Sequence, residues 1–433
     1  MPRPSDLLPA LAASLCLAVI APAAPAAPTE AEAAVLDSLA TRATRELEEN
    51  ILPFWIAHVR DTTQGGYHGE VRQDLSVNEK APRGALMVSR ILWTYSAALG
   101  RDPRPEYRDM ARRALEDLDR SFWDIRHGGL YWTANADGAP VATHKQVYLQ
   151  TFGIYALSEY HRTTGNGPAL ERAKEIFQLL EDKARDPQHG GYLEAFTRDW
   201  TKELPEMRRL IGANAPKSQN THLHVMEAYT SLLRVWPDPR LRAALGEVVG
   251  LMLDRILDPK THHLGLYFEA DWTPVSTAIS YGHDIEAAWL LCEAAEALGD
   301  DALIARTREV AVEIARVTLA EGVSPLGGIY NEGGPSGVTS TDHEWWPQAE
   351  AVVGFLHAYQ LSGDTVFLDA ASRTWDFVEN HVVDRKDGEW FLMVDAKGKP
   401  QARRPKASIW KCPYHNGRAC MQIADRVKSL QVR

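Results

Sequence analysis

Two histidines stand out as candidates for acid/base chemistry. His283 and Glu286 are three residues apart in Tyr-Gly-His-Asp-Ile-Glu, a spacing that lets a carboxylate hold the imidazole in one tautomer and raise its basicity. His415, in Cys-Pro-Tyr-His, supplies a second imidazole from a distant segment. Asn220 and His224 are four apart and share a helix face, whereas His222 is turned by roughly 200° from both. Two histidines with Arg90 and no metal motif fit proton transfer at a carbon next to a carbonyl, with one base on either side of a planar intermediate. Arg90, Asn220 and His224 would then stabilise the negative charge of an enediolate. Tyr148, Gln150, Glu344, Trp345, Trp346 and Trp410 occupy equivalent places in their segments, and indole faces suit sugar rings. No HExxH or Cys/His pattern appears, and His222-x-His224 splays its rings on a helix, so no catalytic metal is expected. His222 and the adjacent His262 and His263 read as structural.

What must position these residues is a repeat. A glycine followed within two residues by an aromatic recurs at Gly65, Gly128, Gly190, Gly265, Gly327 and Gly388, at intervals of 63, 62, 75, 62 and 61 residues. A period of this length means one supersecondary unit built six times. After each marker comes a helical pattern that is apolar nearly all round, such as QVYLQTFGIYALSEYHR, and then a charged amphipathic one, such as ALERAKEIFQLLEDKA. The first kind must be covered on every side, and the second has one buried stripe and one wet face. An initial helix over about residues 31–58 completes six outer and six inner helices, and six pairs bury their faces by closing a ring. The expected fold is therefore all-α, an (α/α)6 barrel, with short β-hairpins at the outer-to-inner crossovers. Parallel inner helices bring their equivalent ends to one mouth, where the polar residues above would converge. The long interval locates an insertion around 194–218, which contains Trp200, Pro205 and Arg208 and is a candidate lid.

The 433 residues carry a net charge of −11 with Lys and Arg dispersed, which offers no surface to nucleic acid or anionic lipid. Residues 1–26 read as a cleaved signal peptide: Arg3, a run of about 15 apolar residues, too short to span a bilayer, and Ala24-Pro25-Ala26 as a cleavage site. The expectation is a single catalytic domain over 27–433, periplasmic or secreted, off the membrane after cleavage, and monomeric or weakly dimeric. Cys412 and Cys420, eight residues apart on a helix, would lie about 12 Å apart and cannot pair. The cysteines left after cleavage read as packing residues.

The strings YGHDIEAAWLL, EWWPQAEAVVGF, WKCPYHNGRAC, NTHLHVMEAYTSLLRVW and SRILWTYSAALG resemble the cellobiose 2-epimerases of the N-acylglucosamine 2-epimerase superfamily, with similarity from about Ala34 to the end. The resemblance implies a cofactor-free enzyme that inverts carbon 2 of the reducing-end sugar of β-1,4-linked disaccharides. It proceeds by ring opening, C2 deprotonation to a cis-enediol, and reprotonation. It implies further that His283 and His415 are the acid/base pair, that Glu286 supports His283, and that Arg90, Asn220 and His224 hold the open-chain oxygens. Trp346 and Trp410 would stack on sugar. Most such relatives are cytoplasmic, so a signal peptide is a departure from the pattern.

Three other readings are told apart by their products. An aldose/ketose isomerase or monosaccharide 2-epimerase of the same superfamily shares the enediol, and the isomerase releases a ketose. An (α/α)6 glycoside hydrolase would use Asp284, Glu286, Glu344 or Glu350 as its carboxylate pair and release monosaccharide. A non-catalytic sugar binder would turn nothing over.

Overall fold

The computed structural model describes residues 27–431, so the segment read as a signal peptide lies outside the described residues. Twelve helices of 13 or more residues alternate around a ring among the described residues. The outer members are α1 (Glu30–Arg45), α3 (Pro105–Asp117), α5 (Gly167–Leu179), α7 (Pro239–Leu251), α9 (Asp301–Glu321) and α11 (Thr365–Phe377). The inner members are α2 (Ala85–Arg101), α4 (Val147–Thr164), α6 (Gln219–Val235), α8 (Tyr281–Leu298), α10 (Trp345–Ser362) and α12 (Tyr414–Gln431). Each inner helix packs on the next, and α12 returns to α2. Each outer helix covers the inner helix before it, while α1 covers α12, so the two described ends of the chain close an (α/α)6 barrel.

The apolar patterning maps onto this arrangement directly. Every residue from Ala85 to Leu99 in α2 and from Trp345 to Tyr359 in α10 is buried, whereas α3 buries only Tyr107, Met110, Ala111, Ala114 and Asp117. Outer helix α1 starts on a capping box, with Thr29 and Glu32 exchanging backbone bonds, and continues through wider π-helical turns to Val59. No helix among the described residues is long and apolar enough to cross a membrane.

The crossovers that enter the inner helices are built alike. Each marker bridges back to the end of its outer helix, as Tyr67 to Arg60 and Tyr192 to Arg185. The two residues before each of α4, α6, α8 and α10 then pair antiparallel with a strand of the next crossover, Lys145–Gln146 with Ala195–Phe196 for example. Val71 pairs with Ala407 and closes this rim as α12 closes the helices. Hairpins within a crossover also form, as Thr133–Ala134 against Pro140–Ala142.

A buried cation locks four of the six marker turns. Lys217 Nζ donates to Asp186 at 2.7 Å and to the carbonyls of Gly190 and Ala270 at 2.7 and 2.6 Å. Lys145 does the same with Asp124 and Gly129, Lys406 with Asp384 and Gly388, and Arg83 with Asp61 and Gly65. The turn requires positive φ: Gly190 and Gly191 adopt 70° and 72°. In the fourth crossover His262 takes that place, with φ 58° and its N–H on the Asp258 carbonyl, as Gly190 is on Asp186. Gly265, taken as the fourth marker in the sequence, therefore sits three residues past the true turn. A glycine-based ruler misses a turn whose left-handed residue is histidine.

The insertion at 194–218 is shorter on irregular chain than its length suggests. It contains the strand Ala195–Phe196 and a 3₁₀ helix over Pro205–Ile211.

Candidate active site

A cavity of about 640 Å³ opens where the inner helices begin. Arg90 of α2, Tyr148 of α4, Asn220 and His224 of α6, His283 and Glu286 of α8, Trp345 and Trp346 of α10 and His415 of α12 all line it. Each lies within the first two turns of its helix, so all six inner helices contribute. Glu344 and Trp410, just before α10 and α12, complete the wall.

His283 and His415 flank Trp346, whose ring lies 4.7 Å from the first imidazole and 5.5 Å from the second. Trp346 is itself fixed by a 2.9 Å bond from its indole N–H to Glu344. Arg90 donates to the Tyr148 hydroxyl at 2.8 Å and to the Trp410 carbonyl at 3.3 Å, and lies 4.3 Å over Phe152. Trp410 is 37% exposed at the mouth, the posture of a stacking platform.

Two sequence expectations are corrected here. Gln150 does not reach the cavity: its amide accepts from Leu130 N–H at 2.8 Å and donates to the Leu130 carbonyl at 2.9 Å. In α4, α6, α8 and α10 the fourth residue points to its own crossover, and His222, Asp284 and Gln348 bond the equivalent backbone of Tyr192, Leu264 and Ile329. His222 is thereby structural, as read, and Asp284, which also holds His263 at 2.8 Å, faces away from any substrate.

Glu286 does not hold His283 either. The His283 Nδ1 pairs with the hydroxyl of Ser280 at 2.7 Å, while Glu286 accepts from Arg418 at 2.6 Å and lies 3.9 Å from His415 Nδ1. His283 lies in the first turn, where the cap hydroxyl of Ser280 is within reach of a side chain that leans toward the N-terminus, and Glu286 is already engaged by Arg418.

The carboxylates that do hold imidazoles were not read so in the sequence, where Glu350 figures only as a hydrolase carboxylate and Glu227 not at all. Glu350 accepts from His415 Nδ1 at 2.8 Å, and Glu227 from His224 Nδ1 at 2.9 Å. Arg418 lies one turn beyond His415. A signal for all three existed: each is a charge within an unbroken buried run of its inner helix. Glu286, Glu350 and His415 place donor atoms within 4.8 Å of one another, the donor types a metal would use, but Arg418 donates into this cluster.

Burial, reinforced by His224, pushes His283 well below the ordinary imidazole value of 6.5, and burial with Arg90 and Arg418 does the same to His415. Lowered values leave the bases neutral, and so competent, through pH 6.5 and below. The acid limb of kcat/KM is accordingly expected to have its midpoint below pH 6.5. A midpoint at 6.5 or above in a pH-rate profile would contradict this. Unfolded histidines take up protons near 6.5 and folded ones only lower, so stability contributed by these groups falls as pH drops through that window.

The N-acylglucosamine 2-epimerase (GlcNAc 2-epimerase) family model matches residues 33–417. Cellobiose 2-epimerase of Bacteroides fragilis is 43% identical over 381 residues, covering 88% of this chain and 97% of that protein. The Dictyoglomus turgidum cellobiose 2-epimerase is 35% identical over 393 residues, 90% of this chain and 100% of its own length. Among solved structures, cellobiose 2-epimerase from Spirochaeta thermophila superposes with a TM-score of 0.86 at 39% identity, covering 93% of this chain and 100% of that one. A D-mannose isomerase, at TM-score 0.77 and 19% identity, shares the fold. With a family model spanning nearly the whole barrel and relatives this similar along their full length, the chain belongs to the N-acylglucosamine 2-epimerase family.

Proposed function

We propose that the protein is a cofactor-independent 2-epimerase acting on the reducing-end sugar of β-1,4-linked disaccharides such as cellobiose. The observation that carries this reading is the pair His283 and His415, flanking Trp346 in one cavity with no hydrogen-bond partner in common. After ring opening, one neutral imidazole removes the C2 proton and becomes imidazolium, and the other, having taken up a proton from solvent, delivers it to the opposite face of the cis-enediol. Their roles exchange with the direction of reaction. Arg90 and the Asn220 amide donate to the substrate oxygen that gains charge, and His224, its Nδ1–H held by Glu227, accepts from a substrate hydroxyl through Nε2. The 640 Å³ cavity is of the size that holds small ligands, and a second cavity of about 290 Å³ shares Asn220, His283 and Asn331 with it. That second space, lined also by Ile211 of the insertion, gives the non-reducing sugar a place.

Product analysis by NMR on cellobiose, mannobiose, lactose, glucose, mannose and N-acetylglucosamine tests the reading. Glucosyl-mannose from cellobiose supports it. A ketose product would make the enzyme an isomerase, and monosaccharide release a hydrolase. Trp410→Ala removes an exposed aromatic face without touching the histidines, so KM for cellobiose should rise about tenfold with kcat changed less than about threefold. An unchanged KM would remove Trp410 from the binding surface. Export rests on the sequence of residues 1–26, and N-terminal sequencing of the mature protein from a periplasmic fraction checks it.

A further inference from the structure

Beneath the cavity, on the barrel axis, one guanidinium joins four inner helices. Arg418 of α12 is 1% exposed. Its NH1 donates to Glu227 of α6 and to the Tyr414 hydroxyl, and its NH2 donates to Glu286 of α8 at 2.6 Å and to Glu350 of α10 at 2.8 Å. The ring faces of Tyr414 and Trp289 lie 4.4 and 4.7 Å from its carbon. Two of these three carboxylates are the ones that hold imidazoles. Glu227 gives one oxygen to Arg418 and the other to His224 Nδ1, and Glu350 gives the same oxygen to Arg418 and to His415 Nδ1.

The protonation of those carboxylates decides the tautomer of the histidines. An anionic carboxylate accepts Nδ1–H and leaves the Nε2 lone pair free; a protonated one donates to Nδ1 and puts the hydrogen on Nε2, where the ring can no longer act as a base. Three acids around one cation cannot all ionise readily in a buried site. Glu350 receives three donors, from His415, Arg418 and Trp289, whereas Glu286 receives one and its Oε2 has no partner. Hydrogen bonds favour the anion, so the proton belongs on Glu286. Burial raises both carboxyls, and Glu286, facing the charge of Glu350 as well, is raised well above the usual carboxylate range, the further of the two.

We propose that Arg418 is a positioning residue that keeps Glu227 and Glu350 anionic at once, and so fixes His224 and His415 together as Nδ1–H tautomers with Nε2 free. The proposal rests on the epimerase reading for its kinetic consequence alone. Lysine cannot replace the guanidinium, because a single ammonium lacks the planar fork that spans carboxylates on three helices.

The test is ¹⁵N NMR of histidine-labelled protein near neutral pH, with His224 and His415 assigned from H224N and H415N spectra. Both should show protonated Nδ1 and bare Nε2. In R418K, checked for folding by circular dichroism, at least one ring should lose that pattern, and kcat on cellobiose should fall roughly tenfold or more with KM held within about threefold. An Nε2–H tautomer at either ring in the wild type overturns the proposal, even where R418K does not fold. So does a folded R418K with both tautomers intact, whatever its kcat. The spectra need no turnover, so a wild type inactive on cellobiose would sink the epimerase reading and leave the tautomer result standing.

Discussion

Replacing either His283 or His415 with asparagine is expected to lower kcat for cellobiose epimerisation by about 10³-fold, the scale of a lost general acid/base. KM should change little, because Arg90, Tyr148 and the tryptophans that shape the cavity remain. The two variants should also differ from a simple loss of binding. If each imidazole serves one face of the enediol, an enzyme missing one can still remove the C2 proton with the other and return it to the same face. With C2-deuterated cellobiose in ordinary water, one of the two variants should wash out label without forming product. Retention of more than about a tenth of wild-type kcat in both variants would remove the histidines from the chemistry.

The second large effect is on stability. Lys217→Met removes a buried ammonium that donates to Asp186 and to two carbonyls, Gly190 and Ala270, from successive crossovers. The carboxylate left behind keeps the N–H donors of Gln188 and His189 but has lost its cation in a site where water does not reach Lys217, and breaking a buried pair in this way costs about 3–5 kcal/mol. The denaturant midpoint should fall accordingly, with catalysis by the folded fraction retained because Lys217 lies outside the cavity. A loss below about 1 kcal/mol would mean that the turn holds without its cation.

The barrel was legible because burial leaves a pattern in composition: α2 and α10 have no wet face, α3 has one, and the alternation of the two kinds recurs six times. The markers were legible where glycine supplies positive φ and misleading where His262 does. At the site, helix spacing placed Asn220 and His224 on one wall correctly, since both project into the same cavity. It failed for His283 and Glu286 because spacing gives a shared face but not a direction, and the cap hydroxyl of Ser280 lies where the imidazole leans. Gln150 failed for a related reason. Polarity on a buried helix marks a need for a partner, and the partner can be a crossover backbone as readily as a substrate. The ionic centre under the histidines joins Glu227, Glu286, Glu350 and Arg418 from four helices spread over some 190 residues of chain, from 227 to 418. No local spacing encodes that meeting; only the closure of the ring brings it about.

The measurement that bears most directly on the whole account is the incubation of cellobiose with the enzyme in heavy water, followed by NMR of the reducing-end sugar. Transfer of a proton through two imidazoles to the opposite face predicts glucosyl-mannose carrying deuterium at C2. Glucose as the product, or a ketose in place of the mannose unit, would contradict 2-epimerisation at this site.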